Sequence, residues 1–232
     1  TGSGKTTTLY ALLHALKIQQ VNVISIEDPV EYAIKGITQV QVDQEHELTF
    51  AAGIRSMLRL DPDYMMVGET RDAASARAAI AAAVSGVPLM TTVHSRDTAG
   101  IVTVLRNFGL TDHQIAATMA LAISQRLVRR LCPNCRQQTE PTRADRQWFE
   151  AHELDVPETV WTSEGCEQCS RLGYRDRVGL FEMWLPDEDD RARILANEPE
   201  TELRRGLHDR KHRFLINDAV EKAAKGLTSI RE

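Results

Sequence analysis

Two periodicities alternate along this 232-residue chain, and together they predict an α/β fold. A helical opening, TTTLYALLHAL, precedes VNVISI, which is apolar enough for a buried strand. ITQVQVD then alternates as an edge or hairpin strand does. LTFAAGIRSMLRL returns to helical spacing behind Thr49 as a cap, and DYMMVGE is another buried strand. DAASARAAIAAAVSG is an alanine-rich helix closed by Gly86, and VPLMTTVH is a third buried strand. Two further helices are expected, TAGIVTVLRNFG and TDHQIAATMALAISQRLVRRL, the second capped by Thr111 or Asp112. Strands that alternate with helices in this way imply a parallel-rich sheet with helical cover.

The pattern changes at Cys132. From there to Trp184 the chain is polar, carries all four cysteines and shows little periodicity apart from a helix in RADRQWFEAHEL. The remainder, from Asp187, reads as three short helices broken near Pro199 and Arg213. The expected division is a nucleotide-binding core over 1–131, a cysteine module over 132–184 that returns to the core, and a C-terminal helical segment over 185–232. Apolar residues make up 42% and charged residues 26%, the balance of an ordinary globular chain rather than a disordered one. A net charge of -5 gives no global positive field for nucleic acid, although QRLVRRLC concentrates arginines locally. No apolar run reaches the roughly 20 residues that a membrane-spanning helix needs.

Chemistry enters at the first residues. GSGKT, running straight into a helix, holds all of the phosphate-loop pattern G-x-x-x-x-G-K-[ST] except its first glycine. Gly2 and Gly4 let backbone N–H groups converge where a Cβ would obstruct the turn, with Ser3 between them. Lys5 is placed to reach outer phosphates, Thr6 to offer its hydroxyl to Mg²⁺, and Thr7 follows in a helical turn whose positive end faces the ligand.

Three further stretches put polar groups just past apolar strands, where open parallel sheets bind ligands. VISIEDPVEY delivers Glu27 and Asp28, with Glu31 beyond Pro29. A carboxylate there can deprotonate an attacking water or hold Mg²⁺ through water, and solvated acids in a turn are the plainer alternative. LRLDPDYMMVGETRD delivers Glu69 behind Gly68, and VPLMTTVHS delivers His94. A lone histidine is more often structural than catalytic, yet a third strand end beside a phosphate loop suits a nucleotide sensor.

In order and spacing, the phosphate loop, ISIEDPVEY, LRLDPDYMMVGETRD and TTVHSRD resemble the GspE/PulE-type secretion ATPases of type II secretion and type IV pilus assembly. The resemblance implies a RecA-like P-loop NTPase core in a cytoplasmic homo-hexamer, peripheral at the inner membrane and docked on a platform protein. It names the last three stretches the Asp, Walker B and His boxes. Glu31 becomes the favoured general base, with Glu27 and Asp28 supporting, Glu69 the Walker B carboxylate and His94 the His-box residue. ATP and Mg²⁺ are the implied ligands. Arg55, Arg59 and Arg71 are candidates for sensing γ-phosphate or a neighbouring subunit, or are solvated surface residues. The family usually carries isoleucine at Thr70 and a Thr-Asn pair at Ser95-Arg96. It also carries a strand before the phosphate loop and an N-terminal domain, so this chain alone is expected to bind and hydrolyse ATP poorly.

CPNC at Cys132–Cys135 and CEQC at Cys166–Cys169 form two C-x-x-C pairs, the pattern of a closed tetrahedral Zn²⁺ site with a structural role. Disulfides or idle thiols are the alternative. The intervening residues must fold out as an insertion, similar to that of the secretion and pilus-extension members and missing from the retraction motors. Two other functions stay open: a nucleic-acid-associated RecA-like ATPase, against which the acidic charge counts, and a catalytically weak docking module, against which Lys5, Glu31, Glu69 and His94 count.

Overall fold

Four short strands pair in parallel in the computed structural model, which describes residues 2–17 and 21–232. β1 (Val23–Glu27) lies between β2 (Thr38–Gln41) and β3 (Tyr64–Val67), and β4 (Leu89–Thr91) completes the order β2-β1-β3-β4. Ile24 pairs with Thr38 on one side and Met65 on the other, and Met65 with Leu89. Thr1, the first residue of the expected phosphate loop, falls outside the described residues.

Side-chain alternation sorts this sheet into two faces. Val23 and Met66 pack against Leu9, Tyr10 and Leu13 of α1 (Lys5–Lys17). Ile24, Ile26, Met65 and Val67 pack against α2 (Phe50–Met57) and α3 (Ala73–Val84). β1 is buried along its whole length, its polar Ser25 and Glu27 included. The Thr49 hydroxyl caps α2 by accepting from the Ala52 N–H at 3.2 Å, and a 3₁₀ turn, Leu58–Leu60, ends it. Asp72 and Ser75 form a capping box on α3. Its alanines at 78, 79 and 82 let it approach α2 and the sheet closely. Gly86 terminates it at φ +93, a left-handed conformation that suits glycine. β4 is shorter and less buried than its apolar run suggests, because it lies at the edge of the four-stranded sheet.

α4 (Gly100–Asn107) and α5 (Asp112–Thr118) follow, with Thr111 as the α5 cap. The long helix expected over TDHQIAATMALAISQRLVRRL is a correction. The helix stops at Thr118, Met119 turns extended at ψ 104, and Ala122–Leu131 forms strand β5. AISQRLVRRL carries β-branched residues and a mixed period that fits either element, and pairing with β8 (Tyr174–Trp184) selects the strand. Between them, β6 (Arg136–Thr139) pairs antiparallel with β7 (Val160–Ser163), and α6 (Arg143–Ala151) fills the expected insertion. Three helices close the chain: α7 (Glu188–Leu195), α8 (Glu200–Asp209) and α9 (Leu215–Ala224).

The chain forms two compact units, one of 5–124 and 183–212, the other of 1–4, 125–182 and 213–232. The parallel sheet, α1 to α5, α7 and α8 belong to the first; the cysteines, most of β5 and β8, and α9 belong to the second. Within the second unit, Arg136 stacks on Trp161 and donates to the Gly226 carbonyl at 2.6 Å, while the Trp161 indole donates to the Ala224 carbonyl at 3.0 Å. Among the described residues no helix is long and apolar enough to cross a membrane.

Gly53 on α2 packs closely on the sheet, since a Cβ there would lie 1.9 Å from Ile26 Cδ1. Gly53→Val is expected to destabilise the fold by about 1–3 kcal/mol through overpacking. A denaturant midpoint equal to that of the wild type would contradict it.

Candidate functional site

Parallel pairing brings the C-terminal ends of β1, β3 and β4 to one edge, and the residues just past them form a continuous polar chain. Lys5 Nζ, in the first turn of α1, lies 3.4 Å from both His94 Nδ1 and the Val93 carbonyl oxygen. His94 Nε2 lies 2.8 Å from Glu69 Oε1. Arg71 Nε donates to Glu69 Oε2 at 2.7 Å, and its NH1 lies 3.3 Å from Asp28 Oδ2. A His94 ring with its proton on Nε2 donates to Glu69 and leaves Nδ1 to accept from Lys5, so one tautomer serves both partners. The chain thus joins the phosphate-loop lysine to all three strand ends singled out in the sequence.

Local structure holds these groups in place. The β3–β4 ladder continues past the strands: the Thr70 N–H donates to the Thr92 carbonyl at 2.9 Å, and the Thr92 hydroxyl donates to the Gly68 carbonyl at 2.8 Å. Thr70 and Thr91 also join their hydroxyls at 2.9 Å, a bond that the isoleucine usual in the resembling family could not make. Beyond His94, Asp97 accepts from the Gly100 N–H at 2.9 Å and from Arg204 Nε at 3.1 Å. Arg71 also lies over the Phe50 ring, 5.7 Å from its centroid. Burial works against the Glu69 carboxylate, but hydrogen bonds and charge from Arg71 and His94 outweigh it and hold its pKa below the ordinary value.

The other expected residues are distributed as follows. Gly2 and Gly4 adopt φ +79 and +84, the left-handed conformations a phosphate cradle needs, with Ser3 between them. A Cβ on Gly4 would meet Gln125 Nε2 at 2.7 Å. Thr6 and Thr7 are exposed at the start of α1, whose first turn carries no acid to compete for an anion. Glu27 is not part of the polar chain. It is 2% exposed on the α1 face of β1, and it accepts from the hydroxyls of Tyr10 and Ser25 (the latter at 2.6 Å) and from Gln39 Nε2 at 3.1 Å. Glu31 is exposed, anchored by its backbone N–H, which donates to the Tyr10 hydroxyl at 3.0 Å. Arg55 and Arg59 are exposed on α2 and the turn that follows it. Sequence reasoning passed over Tyr10, Gln39, Thr91 and Thr92, and noted Thr70 only as a departure from isoleucine; their roles depend on neighbours from other elements.

In the second unit the sulfurs of Cys132, Cys135, Cys166 and Cys169 all lie within 4.8 Å of one another. The Cys132–Cys166, Cys135–Cys169 and Cys166–Cys169 separations are 3.9, 3.8 and 3.8 Å. A tetrahedron with bonds of about 2.3 Å spaces its corners about 3.8 Å apart, so the set fits Zn²⁺ and is far too open for a disulfide. Cys169 Sγ accepts from the Cys166 and Gly173 N–H groups at 3.1 and 3.3 Å, which favours its thiolate. Asn134 at 3.3 Å, assisted by the Cys169 contact, lowers Cys166 to about 6. The Ser163 hydroxyl favours the Cys135 thiolate, but burial and the other thiols push Cys135 up to about 11. Gly165, at φ +93 beside the Cys166 knuckle, would bring a Cβ within 2.4 Å of the Arg171 carbonyl oxygen.

A family model described as "Type II/IV secretion system protein" matches residues 1–232. The type II secretion system protein E of Klebsiella pneumoniae is 41% identical over 234 residues, covering 100% of this chain and 46% of that protein. The type IV pilus assembly ATPase PilB of Thermus thermophilus is 36% identical over 233 residues, covering 100% of this chain and 26% of PilB. The X-ray structure of the Legionella pneumophila ATPase DotB superposes with a TM-score of 0.65 at 26% identity, over 100% of this chain and 56% of DotB. The chain spans less than half the length of these curated relatives.

A carboxylate with a depressed pKa stabilises the fold above its unfolded value of about 4.3, and that contribution disappears as pH falls through the lower folded value. Glu69→Gln is therefore expected to lower stability at pH 7 by at most about 1 kcal/mol, given the exposure of Arg71. The gap between variant and wild type should close below about pH 4, as thermal melts across pH would show.

Proposed function

The chain belongs to the type II/IV secretion system protein family, and from that premise we propose that it is the ATP-hydrolysing part of a motor that powers type II protein secretion or type IV pilus assembly. The observation that supports this most is the polar chain from Lys5 through His94, Glu69 and Arg71 to Asp28, which gathers five groups from four separate stretches. In this reading Gly2, Ser3, Gly4, Lys5, Thr6 and Thr7 cradle the phosphates of ATP. Lys5 exchanges its His94 contact for a phosphate oxygen. Thr6 would hold Mg²⁺, which supplies charge neutralisation at the outer phosphates. Glu31 takes the proton of the attacking water, Glu69 orients His94 and Arg71, and Asp28 secures Arg71 from the opposite strand. Glu27 supports the loop from beneath rather than touching ligand.

The same reading has the chain act as a homo-hexamer in the cytoplasm, against a platform protein of the inner membrane. By itself the 232-residue chain turns over slowly, so catalytic assays belong on the complete gene product. The four thiolates hold Zn²⁺, which supplies a cross-link between the two knuckles and leaves no open position for chemistry.

Lys5→Ala is expected to weaken binding of a fluorescent ATP analogue by at least about tenfold, and Glu31→Gln to cut turnover by about 10²-fold while leaving that affinity nearly unchanged. Wild-type turnover in Glu31→Gln would remove the proposed base. Protein purified under reducing conditions should carry one zinc per chain by elemental analysis, and Cys166→Ser should reduce that content; metal-free wild type would end the zinc reading.

A further inference from the structure

The hydroxyl of Tyr10 sits where two parts of the candidate site meet. Tyr10 is 2% exposed and lies five residues beyond Lys5 on α1, about 7.5 Å of helix rise. Its oxygen donates to Glu27 Oε2 and accepts from the Glu31 N–H at 3.0 Å. Its ring rests against that of Tyr32, with centroids 4.6 Å apart and planes at 57°. The rest of the loop is pinned to β2: Gln39 Oε1 accepts from the Ile34 N–H at 2.6 Å, Gln39 Nε2 donates to the Tyr32 carbonyl at 3.2 Å, and Gln41 Oε1 accepts from the Val30 N–H at 3.2 Å. Burial and the bond to Glu27 push Tyr10 up to about 12, which keeps its proton in place through the neutral range.

We infer that Tyr10 is a positioning residue for Glu31, its hydroxyl tying the backbone of the acid-bearing loop to the helix that carries Lys5 and Thr6. The inference rests on Glu31 being the base. An exposed carboxylate on a free loop samples many positions, whereas a base must stay within hydrogen-bond reach of the water it deprotonates. Anchoring the backbone at residue 31 fixes the root of the side chain and leaves its carboxylate able to face that water. One rigid element then sets both the phosphate-binding turn and the origin of the base, so a shift of α1 on phosphate capture carries Glu31 with it. Tyr10 itself touches no substrate.

Tyr10→Phe keeps the ring and removes only the oxygen. In ATPase assays on the complete gene product, kcat should fall about tenfold while KM and analogue affinity stay within about twofold. Placed in a Glu31→Gln background, the same change should cost nothing more, because the group it positions is already gone. An unchanged kcat in Tyr10→Phe beside a crippled Glu31→Gln overturns this inference alone, as does an equal loss in both backgrounds, the mark of a merely structural role. An active Glu31→Gln, or a wild type without turnover, overturns the base reading and the inference with it. Should Tyr10→Phe melt near the assay temperature, the cycle is repeated with Glu27→Gln in every arm, which removes the charge the lost hydroxyl leaves under-satisfied.

Discussion

Parallel registration of β1, β3 and β4 is the constraint on which the site depends. It delivers three strand ends to one edge, and the residues immediately past them inherit positions set by the ladder rather than by their own loops. The hydrogen bonds that continue from Thr70 to Thr92 and from Thr92 to Gly68 extend that order into the site itself. Glu69 and His94 therefore meet at 2.8 Å from segments more than twenty residues apart. At that edge the Arg71 guanidinium faces both the Glu69 and Asp28 carboxylates, so neither acid is desolvated alone, while the Lys5 ammonium meets the His94 ring nitrogen and the Val93 carbonyl.

The same geometry separates adjacent acids. Counting by twos from Val23, a residue buried against α1, passes through Ser25 and arrives at Glu27. Glu27 is thus committed to the α1 face, where Tyr10, Ser25 and Gln39 satisfy it, while Asp28, one step on, meets Arg71 at the edge. Two neighbouring acids of the same motif have different surroundings for that reason alone.

Much of this was legible in the sequence. GSGKT before a helix, apolar runs ending in Glu69 and His94, and paired C-x-x-C knuckles each express a local rule, and local rules read well from one chain. Glu27 was legible in principle, since its face follows from the period of β1. The stretch after Thr118 was not: its residues suit helix and strand alike, and only the presence of β8 decides. Tyr10 reads from sequence as one more apolar helix position, because the partners of its hydroxyl come from the β1–β2 loop and from β1 itself. The threonine hydroxyl bonds are hidden for the same reason, being fixed by the register of β3 against β4.

Arg71 reaches Glu69 through Nε and Asp28 through NH1, so a planar fork sets the angle between two strand ends as well as neutralising them. A lysine there would conserve charge but supply no such plane. Substitution matrices that score arginine and lysine as near-equivalents would therefore misjudge this position, and homologues that swap them here should show a compensating change at one of the two acids.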